Sequence, residues 1–481
     1  MDGRYDLVVR NATVIDGTRA PRYEADVGVS AGRISRIGKI REKGKVDIDA
    51  SGRIVSPGFI DAHTHDDRLM LSSPDMAPKA SQGVTTVVAG NCGISLAPLV
   101  LGNRSAPPPL DLIGGSDWYR FSSFKSYIKN LESKPAATNA ALLVGHTTLR
   151  VITMKHLDAP ASHGEIDAMK NLVQEALDAG AIGVSTGLYY EPARAAPTEE
   201  VIEVCRPLTA KKALYCTHMR DEGDHVTDSL EETFRIGREL DVPVVVSHHK
   251  VVGTPNHGRS RETLPLIAGR MASQCIGLDC YPYNASSTIL SADRAAIGTK
   301  TLVTWSKPHP EFAGMDLADI AKKMDLPVED ATRKLLPAGA IYFTMDEADV
   351  QRVLAFEHTM VGSDGLPHDS APHPRLWGTF PRVLGHYSRG LGLFPLETAV
   401  YKMTGLTAKT FGLKDRGVLK EGAFADICLF DAATVDETAT FAHPIQPAKG
   451  IEVVIVNGEI TWRDGKSTGA RPGRVLRRRP S

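Results

Sequence analysis

Two histidines stand two apart in Pro57-Gly58-Phe59-Ile60-Asp61-Ala62-His63-Thr64-His65-Asp66-Asp67. They follow a short apolar run, Phe59–Ile60. On a strand, residues i and i+2 share a face. His63 and His65 would therefore aim together at a point just past a buried strand, as paired metal ligands must. Taken alone, His-x-His reads more readily as two polar loop residues. The case rests on further groups of the same kind at the ends of later apolar runs. Gly90-Asn91-Cys92-Gly93 follows Thr85–Ala89, and His146 follows Ala140–Val144. His218 closes Leu214-Tyr215-Cys216-Thr217. His248-His249-Lys250 closes Val242–Val246 and Ser247, and Asp364 closes Thr359–Val361 through Gly362-Ser363. Imidazole, thiolate and carboxylate are the ligands of zinc, and a catalytic zinc keeps three protein ligands and a water. Cys92, His218 and His248 could supply such a set. The metal would lower the pKa of its water and polarise a carbonyl. Asp364, ionised beside a histidine or the metal, suits the general base that takes the water's proton and returns it to a leaving nitrogen.

Such groups need a scaffold that gathers strand ends. Strand-like runs recur at Phe59–Ile60, Thr85–Ala89, Ala140–Val144, Ile182–Val184, Ala213–Tyr215, Val242–Val246, Ile276–Leu278 and Thr359–Val361. Helical stretches lie between several of them. Gly164 to Ala179 puts Ile166, Met169, Leu172, Val173, Ala176 and Leu177 on one face, and Asp228 to Leu240 does the same with Leu230, Phe234 and Ile236. The alternation predicts an α/β fold, a (β/α)8 TIM-like barrel, whose catalytic groups sit at the C-terminal strand ends. An open doubly wound sheet is the alternative, but no Gly-x-Gly-x-x-Gly follows an early strand. Both chain ends read as β-rich: Tyr5–Val9, Ala25–Val29 and Arg33–Ile37 at one, Ala425–Phe430 and Ile451–Gly458 at the other. We expect a small β-sandwich domain built from 1–57 plus 415–481, a barrel over 58–414, and a lid insertion at 284–345 across the barrel mouth. The arginine-rich segment Arg474 to Ser481 reads as a solvated tail.

Composition excludes more than it assigns. The 481 residues carry 42% hydrophobic and 23% charged residues and a net charge of −1, so no bulk field favours nucleic acid or an anionic membrane. The first residues show no secretory leader, and no apolar run approaches the ~20 residues of a membrane span. Six cysteines make no disulfide framework. We expect a cytoplasmic protein acting on a small molecule.

The combination of Pro57–His65, the later histidines, Ser363-Asp364 and Gly422-Ala423-Phe424-Ala425-Asp426 resembles the amidohydrolase superfamily. Within it the chain resembles the N-acyl-D-amino-acid deacylases, through Gly90–Gly93, Ser185-Thr186-Gly187-Leu188-Tyr189-Tyr190, Val246–Lys250, Asp279-Cys280-Tyr281-Pro282-Tyr283 and Gly362-Ser363-Asp364-Gly365. The resemblance covers nearly the whole chain. It implies one tightly held zinc at Cys92, His218 and His248. It also implies a second, weak or partly occupied site at His63 and His65, with Cys92 shared, and Asp364 as base and acid. Many superfamily members bridge two metals with a carboxylated lysine. Ala181–Tyr190 has none, and Cys92 would take that place.

The implied reaction is hydrolysis of an N-acyl-D-amino acid to a carboxylate and a free D-amino acid. Tyr190 could donate to the scissile carbonyl oxygen. The substrate's α-carboxylate needs donors, and Lys250, Tyr281, Tyr283 and Ser287 stand in motifs that resemble the family's binding residues. Arg294, inside the presumed lid, suits a carboxylate side chain through its planar fork, and Arg375 is a second candidate. The pattern around Arg294, continuing through Thr304–Glu311, is most similar to the N-acyl-D-glutamate deacylase branch. Broad or apolar preference, or a hydantoinase-like opening of cyclic amides, are the alternatives.

Overall fold

The computed structural model describes residues 5–478. The reading of the leader region therefore lies partly, and the last three residues of the tail wholly, outside the described residues. Eight strands form the central barrel. They are β1 (Phe59–Asp61), β2 (Val84–Ala89), β3 (Asn139–Gly145), β4 (Gly183–Gly187), β5 (Leu214–His218), β6 (Val244–Val246), β7 (Ile276–Cys280) and β8 (Thr359–Val361). They neighbour one another in chain order, and each neighbouring pair from β1 to β8 is parallel. The sheet curls until β1 meets β8. The Ala62 N–H donates to Val361 O at 3.2 Å, and the Asp364 N–H to His63 O at 2.8 Å. This is the TIM-like barrel that the alternating pattern predicts. Its strands are buried on both faces, which explains why they read as continuous apolar runs rather than alternating ones.

The helix His163–Ala179 starts with a reciprocal capping box, Ser162 with Glu165, and ends at Gly180 with a positive φ. It buries Met169, Val173, Ala176 and Leu177. Ile166 and Leu172 stay half-buried at the edge of that face.

A second sheet takes strands from both chain ends. Ile54–Pro57 lies between Tyr5–Val14 and Ile427–Phe430, and the order continues through Tyr23–Ser30 on one side and Ile451–Val456 on the other. Between this sheet and β1 stands a single residue, Gly58. A Cβ there would come within 2.1 Å of the Thr85 side chain, so only glycine lets the strand pass so close to β2. Residues 284–345 carry a separate three-stranded sheet, Ser286–Ile289, Ala338–Tyr342 and Thr301–Ser306. It packs its own core of Leu290, Val303, Leu317, Ile320, Leu335 and Tyr342.

The tail is not solvated as expected. Val475–Leu476 pairs in parallel with Ala140–Ala141 at the start of β3. Leu476 is buried, and Arg478 donates to the Thr410 and Lys212 carbonyls. Four arginines hid two strand-forming residues that cover the bottom of the barrel. Five of the six cysteines are buried, Cys275 is exposed, and none is in a disulfide. Among the described residues no helix is long and apolar enough to cross a membrane.

Candidate active site

The strand ends deliver their side chains to one place. His63 and His65 follow β1, Cys92 follows β2, His218 ends β5, His248 follows β6 and Asp364 follows β8. Two ligand groups result: His63, His65, Cys92 and Asp364; and Cys92, His218 and His248. Within each, the donor atoms lie within 4.8 Å of one another. Cys92 belongs to both. Its Sγ is 3.3 Å from His63 Nε2 and 3.3 Å from His248 Nε2.

The backbone is forced into this arrangement. Cys92, His248 and Asp364 all have positive φ, at 53°, 38° and 49°. Such a conformation costs about 1–3 kcal/mol for a side chain-bearing residue and persists only where its surroundings hold it. Those surroundings are visible. Asp279 Oδ1 accepts from the His248 N–H at 3.0 Å. Asp67 Oδ2 accepts from Gly90 N–H at 3.1 Å, and Ser185 Oγ from Gly93 N–H at 2.9 Å. Asp61, buried with Lys79, accepts from the Ser363 N–H at 2.7 Å and so braces the turn before Asp364.

The electrostatics call for positive charge. Burial raises the Cys92 thiol, but His63 and His248 beside it drive its pKa well below the ordinary value. Burial opposes ionisation of Asp364, but Arg375, His65 and His63 hold its carboxyl well below the usual carboxylate range. Burial depresses His65, yet Asp364 and Cys92 push it up to about 9. A buried thiolate and carboxylate among histidines draw a proton or a cation. At His218 neither ring nitrogen has a hydrogen-bond partner among the described residues, although the ring is buried. An orphaned imidazole facing a thiolate, with a carboxylate-and-histidine group on the other side, fits a divalent metal.

His146, read from sequence beside the others, is elsewhere. It opens the helix His146–Thr153, lies 3.6 Å from Glu200, and belongs to neither ligand group. The residues expected at the substrate divide. Tyr190 is at the site: its ring centroid is 5.0 Å from that of His218, and its hydroxyl is 2.9 Å from Thr288 Oγ1. Tyr281 lies between two cations, with Lys250 Nζ 5.6 Å and Arg375 Cζ 4.5 Å from its ring centroid. Ser287 is buried with its hydroxyl unpartnered among the described residues. Tyr283 donates its hydroxyl to Glu437 Oε2 at 2.6 Å. Arg375 is buried, with Nη1 2.9 Å from Asp364 Oδ2. Lys250 is buried against Glu222 at 2.6 Å. Arg294 is buried, 3.4 Å from Glu222, with its Nε and Nη1 unpartnered among the described residues. It lines an open cavity of about 680 Å³ with Tyr189, Glu222, Val252, Asp293 and Ile297.

Four neighbours were missed: Glu222, Asp279, Lys79 and Tyr189, whose ring stacks 5.6 Å from His218. Tyr189 and Asp279 stood inside motifs quoted above without a role of their own; Glu222 and Lys79 stood outside them, and their contacts join segments distant in sequence.

A parallel eight-stranded barrel with histidines, a cysteine and an aspartate at its C-terminal strand ends defines a metal-dependent hydrolase. The chain belongs to the amidohydrolase family, whose model matches residues 47–274 and 350–462, and within it to the D-aminoacylases. It is 58% identical over 475 residues to a D-aminoacylase of Alcaligenes xylosoxydans xylosoxydans, covering 98% of both chains. It is 52% identical to an N-acyl-D-aspartate deacylase of the same organism, over 98% of this chain and 95% of the other. A solved N-acyl-D-glutamate deacylase from Bordetella bronchiseptica, complexed with zinc and a phosphonate mimic of the tetrahedral intermediate, superposes with a TM-score of 0.95. It is 45% identical, with 98% and 99% of the two chains covered.

Proposed function

We propose that the protein is a zinc-dependent N-acyl-D-amino-acid deacylase that favours acidic side chains. The observation that carries the reading is Cys92 shared between two histidine-containing ligand groups, with Asp364 in one of them. Cys92, His218 and His248 would hold one metal tightly. His63 and His65, with Cys92, would form a weaker second site. When bound, the metal supplies an acidified water and a polarised carbonyl. Asp364, kept ionised by Arg375 and His65, takes a proton from the attacking water. The water oxygen bonds to the acyl carbon. Asp364 then passes the proton to the amide nitrogen as the C–N bond breaks, and the new carboxylic acid gives its remaining proton to the released amine, leaving a carboxylate and an ammonium. Tyr190 donates to the carbonyl oxygen as negative charge develops there, and Thr288 fixes the direction of its hydroxyl. Lys250, Tyr281 and Ser287 receive the α-carboxylate.

The acidic preference rests on Arg294, whose two unpartnered donors suit a carboxylate. It is supported by similarity to relatives acting on N-acyl-D-aspartate and N-acyl-D-glutamate. A second reading, broad preference, is favoured by the Glu222 carboxylate 3.4 Å from Arg294, which offsets part of its charge. The test is a panel of N-acetyl-D- and L-amino acids, with glutamate, aspartate and leucine included and zinc measured on the same sample. We expect D over L, and acidic over apolar through KM. A leucine substrate turned over as well as glutamate would select the second reading. Faster opening of a hydantoin would overturn both.

A further inference from the structure

Glu222 stands four residues past the end of β5, outside every motif read from the sequence. Its buried carboxylate meets four groups. Oε1 is 2.6 Å from Lys250 Nζ and 3.1 Å from His248 Nδ1. Oε2 is 3.4 Å from Arg294 Nη2 and 3.7 Å from His218 Nε2. One side chain therefore touches both histidines of a metal-ligand group and two cations at the substrate's expected position. The Val252 N–H, donating to Glu222 O at 2.9 Å, ties its backbone to the loop after β6.

Glu222 Oε1, 3.1 Å from His248 Nδ1, bears on the tautomer of that ring. A carboxylate only accepts, so Glu222 favours the proton on Nδ1. That leaves the Nε2 lone pair facing the Cys92 side, as metal ligation needs. Lys250 Nζ also lies 2.8 Å from His248 Nδ1, and an ammonium only donates. Left alone with Lys250, the ring would put its proton on Nε2 and lose its ligand lone pair. Glu222 opposes that outcome: its oxygen accepts from Lys250 at 2.6 Å, and a second lysine hydrogen reaches His248 O at 3.0 Å. The same negative charge is shared with Arg294, lowering the net positive charge that the cavity offers a substrate side chain.

We propose that Glu222 is a positioning residue that couples the metal site to side-chain selectivity: it sets the His248 tautomer and tempers the charge of Arg294. The selectivity half rests on the reading of Arg294 as the side-chain cation. Glu222→Gln keeps the shape and removes the charge. Zinc affinity, read by competition with a chromophoric chelator, should fall about tenfold or more, within the range for partners of metal ligands. With zinc saturating and ionic strength fixed, the KM for N-acetyl-D-glutamate relative to N-acetyl-D-leucine should fall about tenfold. Both shifts are required, and a folded variant with only one, or neither, overturns the coupling. Arg294→Leu separates the two readings. If it leaves the acidic-to-apolar ratio unmoved, the acidic preference has failed and Glu222 is judged on zinc affinity alone. If it collapses the ratio while Glu222→Gln leaves the ratio or the zinc affinity unchanged, the coupling has failed and the acidic preference stands. Glu222→Asp is the second variant, should the glutamine form not fold. It keeps the charge but shortens the reach to His248, so zinc affinity should fall while the ratio stays within about twofold. Unchanged zinc affinity in that variant overturns the proposal.

Discussion

Asp364 and Cys92 have different proposed roles, and substitutions should separate them. Asp364→Asn leaves the proposed ligand histidines and thiol in place but removes the group proposed to carry the proton. Turnover should fall at least about 100-fold with KM and zinc content near the wild type, as the loss of a general base and acid requires. Steady-state kinetics beside metal analysis checks this. Near-normal kcat would remove Asp364 from the role. Cys92→Ala takes a donor from both ligand groups at once. Zinc retained after dialysis should fall well below the wild-type content, and full retention would end its assignment as a ligand. These residues were legible because each closes an apolar run with a residue type that binds metal or moves protons. Glu222 and Lys79 were not. Their importance lies in what they touch, and Lys79 meets Asp61 and Ser363 at sequence separations of 18 and 284.

At the scale of the element, the barrel contributes directions and the loops contribute curvature. The turn after β2 shows both. Gly90 has a φ of +83°, and a Cβ there would sit 2.1 Å from the Leu143 carbonyl oxygen on β3. Backbone cannot retreat as a side chain would, so Gly90→Ala must lift the turn that carries Cys92. We expect a lower Tm together with weaker zinc retention, measured by thermal unfolding with and without added zinc. A lower Tm with unchanged zinc affinity would show that the turn matters to the fold alone. The alternating runs were enough to predict the barrel because buried parallel strands must be apolar throughout. The tail was misread for the opposite reason. A strand of two residues, Val475–Leu476, has no period to detect, and its partner is some 335 residues away in sequence.

The whole molecule is tied together below the barrel by one buried polar knot. Arg416 pairs with Asp426 and donates to Asn457 Oδ1 at 2.9 Å. Asn457 reaches Asn139 Oδ1 at 2.8 Å and the Pro472 carbonyl at 2.7 Å. The knot joins the two-ended sheet, β3 and the tail. Arg416→Met would leave the Asp426 carboxylate buried without its cation, an arrangement that costs about 3–5 kcal/mol. Denaturant unfolding should show that loss, while the folded fraction keeps wild-type kcat because the knot lies away from the strand ends that carry the site. A stability change under about 1 kcal/mol would mean that water replaces the arginine.

By itself the sequence determined the kind of scaffold and the chemical types at its strand ends. Periodicity, burial and residue type are local, and eight apolar runs, six of them read as closed by His, Cys or Asp, state them directly. Only the tertiary structure decided which of those groups meet. It set His146 apart from the ligand groups, turned Tyr283 toward Glu437 and Arg375 toward Asp364, and brought Glu222 between the histidines and the cations. Barrel closure does this by setting strand ends from distant parts of the chain side by side, and no spacing along the sequence records those distances.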